Sequence, residues 1–396
     1  MGSILNLVYD DIRVEKKMYE TSFQYRYVKD YDIILHHIDD VNVKSGLNFY
    51  YVYFHHDYII NNIMSNCGLP FSDEVKNNLK NNPNFYFIFF NEMESDNGDC
   101  IPYLEGLLIN EGYNPSQFYI VNSNQKLPQL KIKYNSKINV HVCNIGSYVV
   151  SNQLQRDLIN ENNLIKEHLF MFYNRNVKAH RVAALCYLKK LNILNDIDWS
   201  WLRGNEFLEK YSDLNGWFHT ILNENEVIQI KEEIEYLKSV GTKKSIHENY
   251  TVDFPPHGID WDLMYKMNPY SHSYINIVGE TNYFDNDVVL ISEKCFTPLY
   301  FNQIPIVLAS KNHLKYLKEK FNFDLFDDIV NHSYDDEHDN RKRFLMVIDE
   351  INRLNKNKNE IIEFYKKNID RFESNRKKVI EISKNHDESL FFKLLP

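Results

Sequence analysis

The residues whose types and spacing carry the most chemistry are Ser292-Glu-Lys294. They stand between two apolar runs, Val288-Val-Leu-Ile291 and Ile304-Pro-Ile-Val-Leu308. The pattern predicts a helix opening at Glu293 and wedged between buried segments. A helix that starts at the carboxyl edge of a parallel sheet turns unpaired N–H groups and the positive end of its dipole outward, and anions bind there. Lys294 adds a full positive charge suited to a phosphate. Glu293 cannot help a phosphate, so its use is to accept hydrogen bonds from ribose or sugar hydroxyls. The plainer alternative makes both ordinary first-turn residues, since acidic side chains favour that end of a helix.

Two neighbouring segments point at the same edge. Asn276-Ile-Val-Gly-Glu-Thr281 reads as the end of a strand, leaving Glu280 and Thr281 where α/β sheets bind ligands. Contact with the sugar or base of a ligand and a cap for the following turn are both open to them. Tyr173, Asn174 and Arg175 close an earlier strand in the same way, and Arg175 is a second phosphate candidate if Arg181 packs along its own helix.

Ser292-Glu-Lys-Cys-Phe-Thr-Pro-Leu-Tyr-Phe-Asn-Gln-Ile-Pro-Ile-Val307 resembles the donor-binding signature of glycosyltransferases with two Rossmann-like domains, the GT-B type. It is most similar to their alpha-1,3-fucosyltransferase-like and exostosin-like groups. Leu169-Phe-Met-Phe-Tyr-Asn-Arg-Asn-Val-Lys-Ala-His-Arg-Val-Ala-Ala-Leu-Cys-Tyr-Leu188 is similar to the strand, Asn-containing loop and Arg-led helix that open the donor domain. The resemblance covers mainly residues 165–355. It implies that Arg181 and Lys294 clamp the two phosphates of a nucleoside diphosphate sugar in place of a metal ion and that Glu293 holds sugar or ribose; Glu280, by its place at the strand end, and Ser292 are expected to help orient the donor. Two departures stand out. The approach to the pair is Val289-Leu-Ile-Ser292 rather than an aromatic residue and Val-Thr, and Cys295 replaces the usual Leu, Ile or Phe after the lysine.

An inverting transfer needs a base, because the acceptor hydroxyl loses its proton as the new bond forms. In the fucosyltransferase-like group a strand ending in aromatic residues is followed within a few residues by the proposed base. Phe89-Phe-Asn-Glu-Met-Glu94 matches that pattern, with Glu92 first and Glu94 second. Other chemistry-bearing clusters read more plainly. Adjacent His55 and His56 on a strand point to opposite faces, which argues against a metal pair. Asp335-Asp-Glu-His-Asp339 reads as a solvated loop, and Asp285-Asn-Asp287 lacks the surroundings of a DxD metal motif.

The expected fold is α/β, with two Rossmann-like domains facing a cleft and C-terminal helices. The expected division is an acceptor domain over residues 1–160, a nucleotide-sugar domain over 165–355 with an insertion at about 196–257, and helices over 356–396. The sole co-substrate expected is the nucleoside diphosphate sugar, with no metal and no other cofactor. A glycan, a small molecule or a modified DNA base is the acceptor. Two rival functions share these residues: a viral or phage transferase that glycosylates hydroxymethylated DNA bases, and a catalytically silent nucleotide- or glycan-binding protein.

Bulk properties fit this picture. The 396 residues suffice for two cores, and 28 Tyr and 25 Phe supply large side chains to fill them. The net charge of −10 counts against a dedicated nucleic-acid binder. The basic residues between Lys356 and Lys384 alternate with acids at helical spacing, as on a solvated helix face. Five scattered cysteines without CxxC spacing argue against a disulfide framework and a zinc-finger pattern, and for a reducing, cytoplasmic setting. No apolar run is long enough for a membrane span. The abundance of Asn and Lys suits an AT-rich genome.

Periodicity predicts strands at 31–36, 47–54, 85–90, 117–121, 138–143, 169–173, 274–278 and 304–308. It predicts helices at 101–112, 180–191, 224–240 and 293–301, and two more over 340–387.

Overall fold

The computed structural model describes residues 3–9, 31–40, 48–53, 71–91, 100–142, 165–174, 178–201, 218, 220–243, 269–284 and 287–384. The chain forms two compact units. Unit 1 comprises residues 1–145 with 386–396, and unit 2 comprises residues 146–385.

Unit 1 is a parallel sheet of β1 (Ser3–Tyr9), β2 (Tyr31–His37), β3 (Asn48–Tyr53), β4 (Phe85–Asn91), β5 (Phe118–Asn122) and β6 (Asn139–Val142). The strands lie in the order β2-β1-β3-β4-β5-β6, and every pairing is parallel. Helices α1 (Asp73–Asn81), α2 (Cys100–Asn110) and α3 (Leu127–Lys133) alternate with the later strands. Buried side chains from β3, β4 and β5, among them Tyr50, Phe85, Phe87 and Phe118, form one core with Val75 and Leu79 of α1. The α2 helix ends where the sequence places a glycine. Gly112 adopts a φ of +82°, a conformation that favours glycine, and Tyr113 N–H returns to Leu108 O at 2.8 Å.

Unit 2 holds β7 (His168–Asn174), β8 (Asp198–Trp201), β9 (Ser273–Gly279) and β10 (Ile304–Leu308), in the order β10-β9-β7-β8 and again all parallel. Strands β9 and β10 are buried at every residue, which explains the unbroken apolar sequence of β10; in β9 the buried Asn276 is satisfied by donating from Nδ2 to Gln303 Oε1 at 3.1 Å. Pro305 lies on β10, at the edge of the sheet, where a missing N–H is tolerated. The helices are α4 (Ala179–Lys190), α5 (Glu224–Gln229), α6 (Lys231–Val240), α7 (Glu293–Tyr300), α8 (His313–Phe321), α9 (Asn340–Lys356), α10 (Lys358–Lys367) and α11 (Ile369–Lys384). The chain runs from β7 to β8 on one side, then crosses to β9 on the other. The switch in winding direction therefore falls between β7 and β9, and the carboxyl ends of that pair frame the crevice where open α/β sheets bind ligands.

The structure adds elements that periodicity did not predict, among them β1, α1, α3 and α8, and it divides others differently. The predicted helix over 224–240 breaks at Ile230 into α5 and α6. The two helices expected over 340–387 are three, with Asn357 and Asn368 at the junctions. Each asparagine turns its side-chain amide back onto a carbonyl, Asn357 Nδ2 to Arg353 O at 2.9 Å and Asn368 Nδ2 to Phe364 O at 2.8 Å. Such back-bonding offers the chain an alternative to the next helical turn. The start of the supposed insertion is strand β8, whose Trp199 and Trp201 are buried. Among the described residues, no helix is long and apolar enough to cross a membrane.

Asp335 departs from the solvated loop expected of residues 335–339, whereas Asp336, His338 and Asp339 are exposed. Asp335 is buried, and its two carboxylate oxygens accept the N–H groups of Leu314 and Lys315 at 3.0 Å each, capping α8 from a distant segment. Replacing Asp335 by Ala strands two backbone donors in the first turn of α8. The expected loss is about 1–3 kcal/mol of stability, measured by urea denaturation; a loss within error of zero would show that water replaces the cap.

Candidate functional site at the carboxyl edge of unit 2

Strand β9 delivers Glu280 to the switch-point edge. Its N–H donates to Leu308 O at 3.0 Å, extending the pairing with β10 by one residue. The side chain is fully buried, at 0% exposure. Carboxylate oxygen Oε1 accepts from Ser292 N–H at 3.2 Å, from Ser292 Oγ at 2.7 Å and from Cys295 Sγ at 3.1 Å. The second oxygen, Oε2, lies 2.8 Å from Ser292 Oγ and accepts Thr281 N–H at 3.1 Å. Burial alone would raise the Glu280 pKa. The Lys294 charge, followed by His313 and the hydrogen bonds from Ser292 and Cys295, outweighs it and holds the carboxyl below its usual range.

Ser292 passes this anchoring to α7. It is the N-cap residue, in extended conformation, and its Oγ accepts Lys294 N–H at 3.3 Å. Lys294 Nζ approaches the same oxygen at 3.2 Å. One hydroxyl thus donates to Glu280 and receives both the helix N-terminus and the lysine head group. Position and charge of the α7 N-terminus are set by a residue twelve places earlier in the chain.

The backbone of the same strand end is held from the opposite side. Arg181, in the first turn of α4 and only 4% exposed, donates from Nη2 to Gly279 O at 2.7 Å and to Glu280 O at 3.1 Å. His180 Nε2 meets Glu280 O at 2.9 Å, and its ring stacks on Tyr283 at 5.0 Å. Burial, with Arg181 beside it, pushes the His180 pKa well below the usual imidazole range, so this ring is neutral and donates from Nε2. Gly279 is required for the approach, because a Cβ there would lie 2.9 Å from Arg181 Cγ and 3.0 Å from its Nε.

The structure therefore brings Asn174, Arg181, Glu280, Thr281, Ser292 and Lys294 to one sheet edge. Arg181 and Glu280 are turned inward: the guanidinium binds carbonyls and the carboxylate holds the α7 cap. Lys294 and Thr281 are partly exposed. Glu293 is the first residue of α7. Arg175, Glu92, Glu94, the His55-His56-Asp57 segment and Asp285-Asn286 lie outside the described residues. Sequence reasoning missed two members of the cluster, Cys295 and His313, which meet at 3.1 Å between Sγ and Nε2. The signal for Cys295 was its place after Lys294, where the resembling families carry an apolar residue. His313 gave none, because α8 brings it in from another segment.

Four buried polar atoms that follow the carboxyl ends of these strands have no hydrogen-bond partner among the described residues. They are Asn174 Oδ1, His180 Nδ1, Ser310 Oγ and His313 Nδ1. Buried polar atoms are rarely left so.

No protein-family model and no curated protein sequence matches the chain. Solved structures do resemble it. An α,α-trehalose-phosphate synthase (UDP-forming) from Burkholderia vietnamiensis aligns over 99% of this chain and 98% of its own, with 7% identity and a TM-score of 0.43. An E. coli trehalose-6-phosphate structure bound with UDP-2-fluoro glucose aligns over 90% and 74%, with 10% identity and a TM-score of 0.41. The DNA-modifying enzyme beta-glucosyltransferase, solved with and without uridine diphosphoglucose, aligns over 98% and 99%, with 11% identity and a TM-score of 0.35. At scores and identities this low the likeness carries no conclusion about activity.

Gly279→Ala is the direct test of how the site is packed. The methyl group overlaps the Arg181 stem, and overpacking of a buried contact costs roughly 1–3 kcal/mol. Chemical denaturation should register that loss, and the double variant Gly279→Ala with Arg181→Ala should show a coupling between the two changes rather than their sum.

Proposed function

We propose that this chain is a glycosyltransferase that moves a sugar from a nucleoside diphosphate sugar to an acceptor hydroxyl. The observation that carries the proposal is a coincidence of position. The N-terminus of α7, charged by Lys294 and fixed through Ser292 to buried Glu280, stands at the carboxyl edge beside the β7/β9 switch point. Dipole, backbone donors and a lysine at one helix cap suit a diphosphate leaving group, whose negative charge grows as the glycosidic bond breaks.

In this proposal Lys294 stabilises the leaving diphosphate and Glu293 accepts from ribose or sugar hydroxyls. Arg181 serves by holding the carbonyls of Gly279 and Glu280, which leaves the second phosphate contact to Arg175. Asn174 and Thr281 flank the donor, and Glu280 orients it through Ser292. Glu92 or Glu94, just beyond the end of β4, deprotonates the acceptor, so the sugar carbon inverts. The clamp of side chains and helix N-terminus replaces a divalent ion at the phosphates. The finer assignment to a fucosyltransferase-like or exostosin-like group rests on the motif resemblance, and the acceptor is a glycan, a small molecule or a modified DNA base.

The test is thermal stabilisation by GDP, UDP, ADP, CMP and dTDP, with and without a divalent ion. A ligand at about a hundred times its dissociation constant adds roughly 2.7 kcal/mol. The expected result is stabilisation by one diphosphate without metal, weakened in Lys294→Ala, together with a fall in turnover of at least about tenfold. No shift with any nucleotide, or unimpaired turnover in Lys294→Ala, would contradict the proposal.

A further inference from the structure

Glu280, Cys295 and His313 come from three segments, the end of β9, the first turn of α7 and the start of α8. Their ligand-type atoms all lie within 4.8 Å of one another, and none of the three side chains is more than 1% exposed. Cys295 Sγ sits 3.1 Å from Glu280 Oε1 and 3.1 Å from His313 Nε2. We propose that these three residues form a closed zinc site behind the N-terminus of α7.

The donor chemistry selects the ion. A thiolate disfavours magnesium and calcium, which prefer oxygen alone, whereas a mixed sulfur, nitrogen and oxygen set suits zinc. Tetrahedral zinc, with bonds of about 2.3 Å to sulfur and about 2.0–2.1 Å to nitrogen or oxygen, spaces its ligands at roughly 3.3–3.6 Å. The two 3.1 Å separations from Cys295 Sγ would open by about half an ångström to admit it, and the Glu280 and His313 ligand atoms lie within 4.8 Å of each other. Ser292 Oγ, 2.7 Å from Glu280 Oε1, or a water completes the fourth position. Binding releases the Cys295 proton to solvent, and the resulting thiolate with the Glu280 carboxylate balances the two positive charges of the ion.

The charge balance has a consequence for the neighbouring lysine. Without the ion, Lys294 is the leading charge stabilising ionised Glu280. With it, zinc takes over that task and leaves Lys294 to an incoming anion. The ion would touch protein ligands rather than donor phosphates, so a transfer that needs no added divalent ion at the diphosphate is compatible with it. The site stands or falls separately from the glycosyltransferase proposal.

The experiment is metal analysis of the full chain, purified under reducing conditions and dialysed against zinc, then against metal-free buffer. About one zinc per chain is expected. Cys295→Ser and His313→Gln should each lose it, and Cys186→Ser, which alters a buried cysteine outside the cluster, should keep it. Cobalt loading of the unmodified protein supplies a readout that needs no variant: a near-ultraviolet thiolate-to-cobalt charge-transfer band with the visible absorption of a tetrahedral ion. Absence of both bound zinc and the cobalt band in the unmodified protein would overturn the proposal. So would zinc retained at full stoichiometry by folded Cys295→Ser and His313→Gln, which would place the ion elsewhere.

Discussion

The constraint on which unit 2 turns is the burial of an ionised carboxylate at the end of β9. Removing a charge from water costs several kcal/mol unless hydrogen bonds and an opposite charge replace the lost solvation. Around Glu280 the replacements are Ser292, Thr281 N–H, Cys295 and the nearby lysine. Ser292, Cys295 and Lys294 are useful only if α7 begins where it does, so satisfying the carboxylate fixes the helix. The backbone of the same residue is gripped by Arg181 and His180, which fixes α4 against the strand end as well. One buried residue thereby sets the relative placement of the two helix N-termini that flank the switch point.

This arrangement separates the work of positioning from the work of contact. Arg181 and Glu280 stand at the ligand edge of the sheet, and both engage the protein's own backbone and cap. What they leave toward the edge is a short set: Lys294, the remaining N–H groups of the first turn of α7, and Thr281. A site built this way binds through preorganised dipoles, which need no rearrangement as charge develops on a ligand.

Much of the architecture was legible in the sequence, and particular residues show why. Leu169-Phe-Met-Phe-Tyr173 and Ile304-Pro-Ile-Val-Leu308 read as strands because both faces of a parallel sheet are covered, leaving unbroken apolar runs. The start of α7 was visible because Ser292 is a strong N-cap residue before an acidic first turn. Strand β8 was not, since Asp198-Trp-Ser-Trp201 is four residues long and sits in polar surroundings. The helix breaks at Asn357 and Asn368 were hidden because their amphipathic pattern continues through them; the breaking agent is a side-chain amide. At the site, residue type announced charge but not direction. An arginine that binds a phosphate and one that binds a carbonyl have the same spacing, and the meeting of Cys295 with His313 across two helices leaves no local motif.

Hydrogen–deuterium exchange of the full chain, with and without saturating uridine or guanosine diphosphate, tests the central claim most directly. The account predicts nucleotide-dependent protection concentrated in the peptides covering residues 173–182 and 288–301, the strand end and helix N-termini that Glu280 ties together. Protection confined to other peptides, or none with either nucleotide at millimolar concentration, would contradict it.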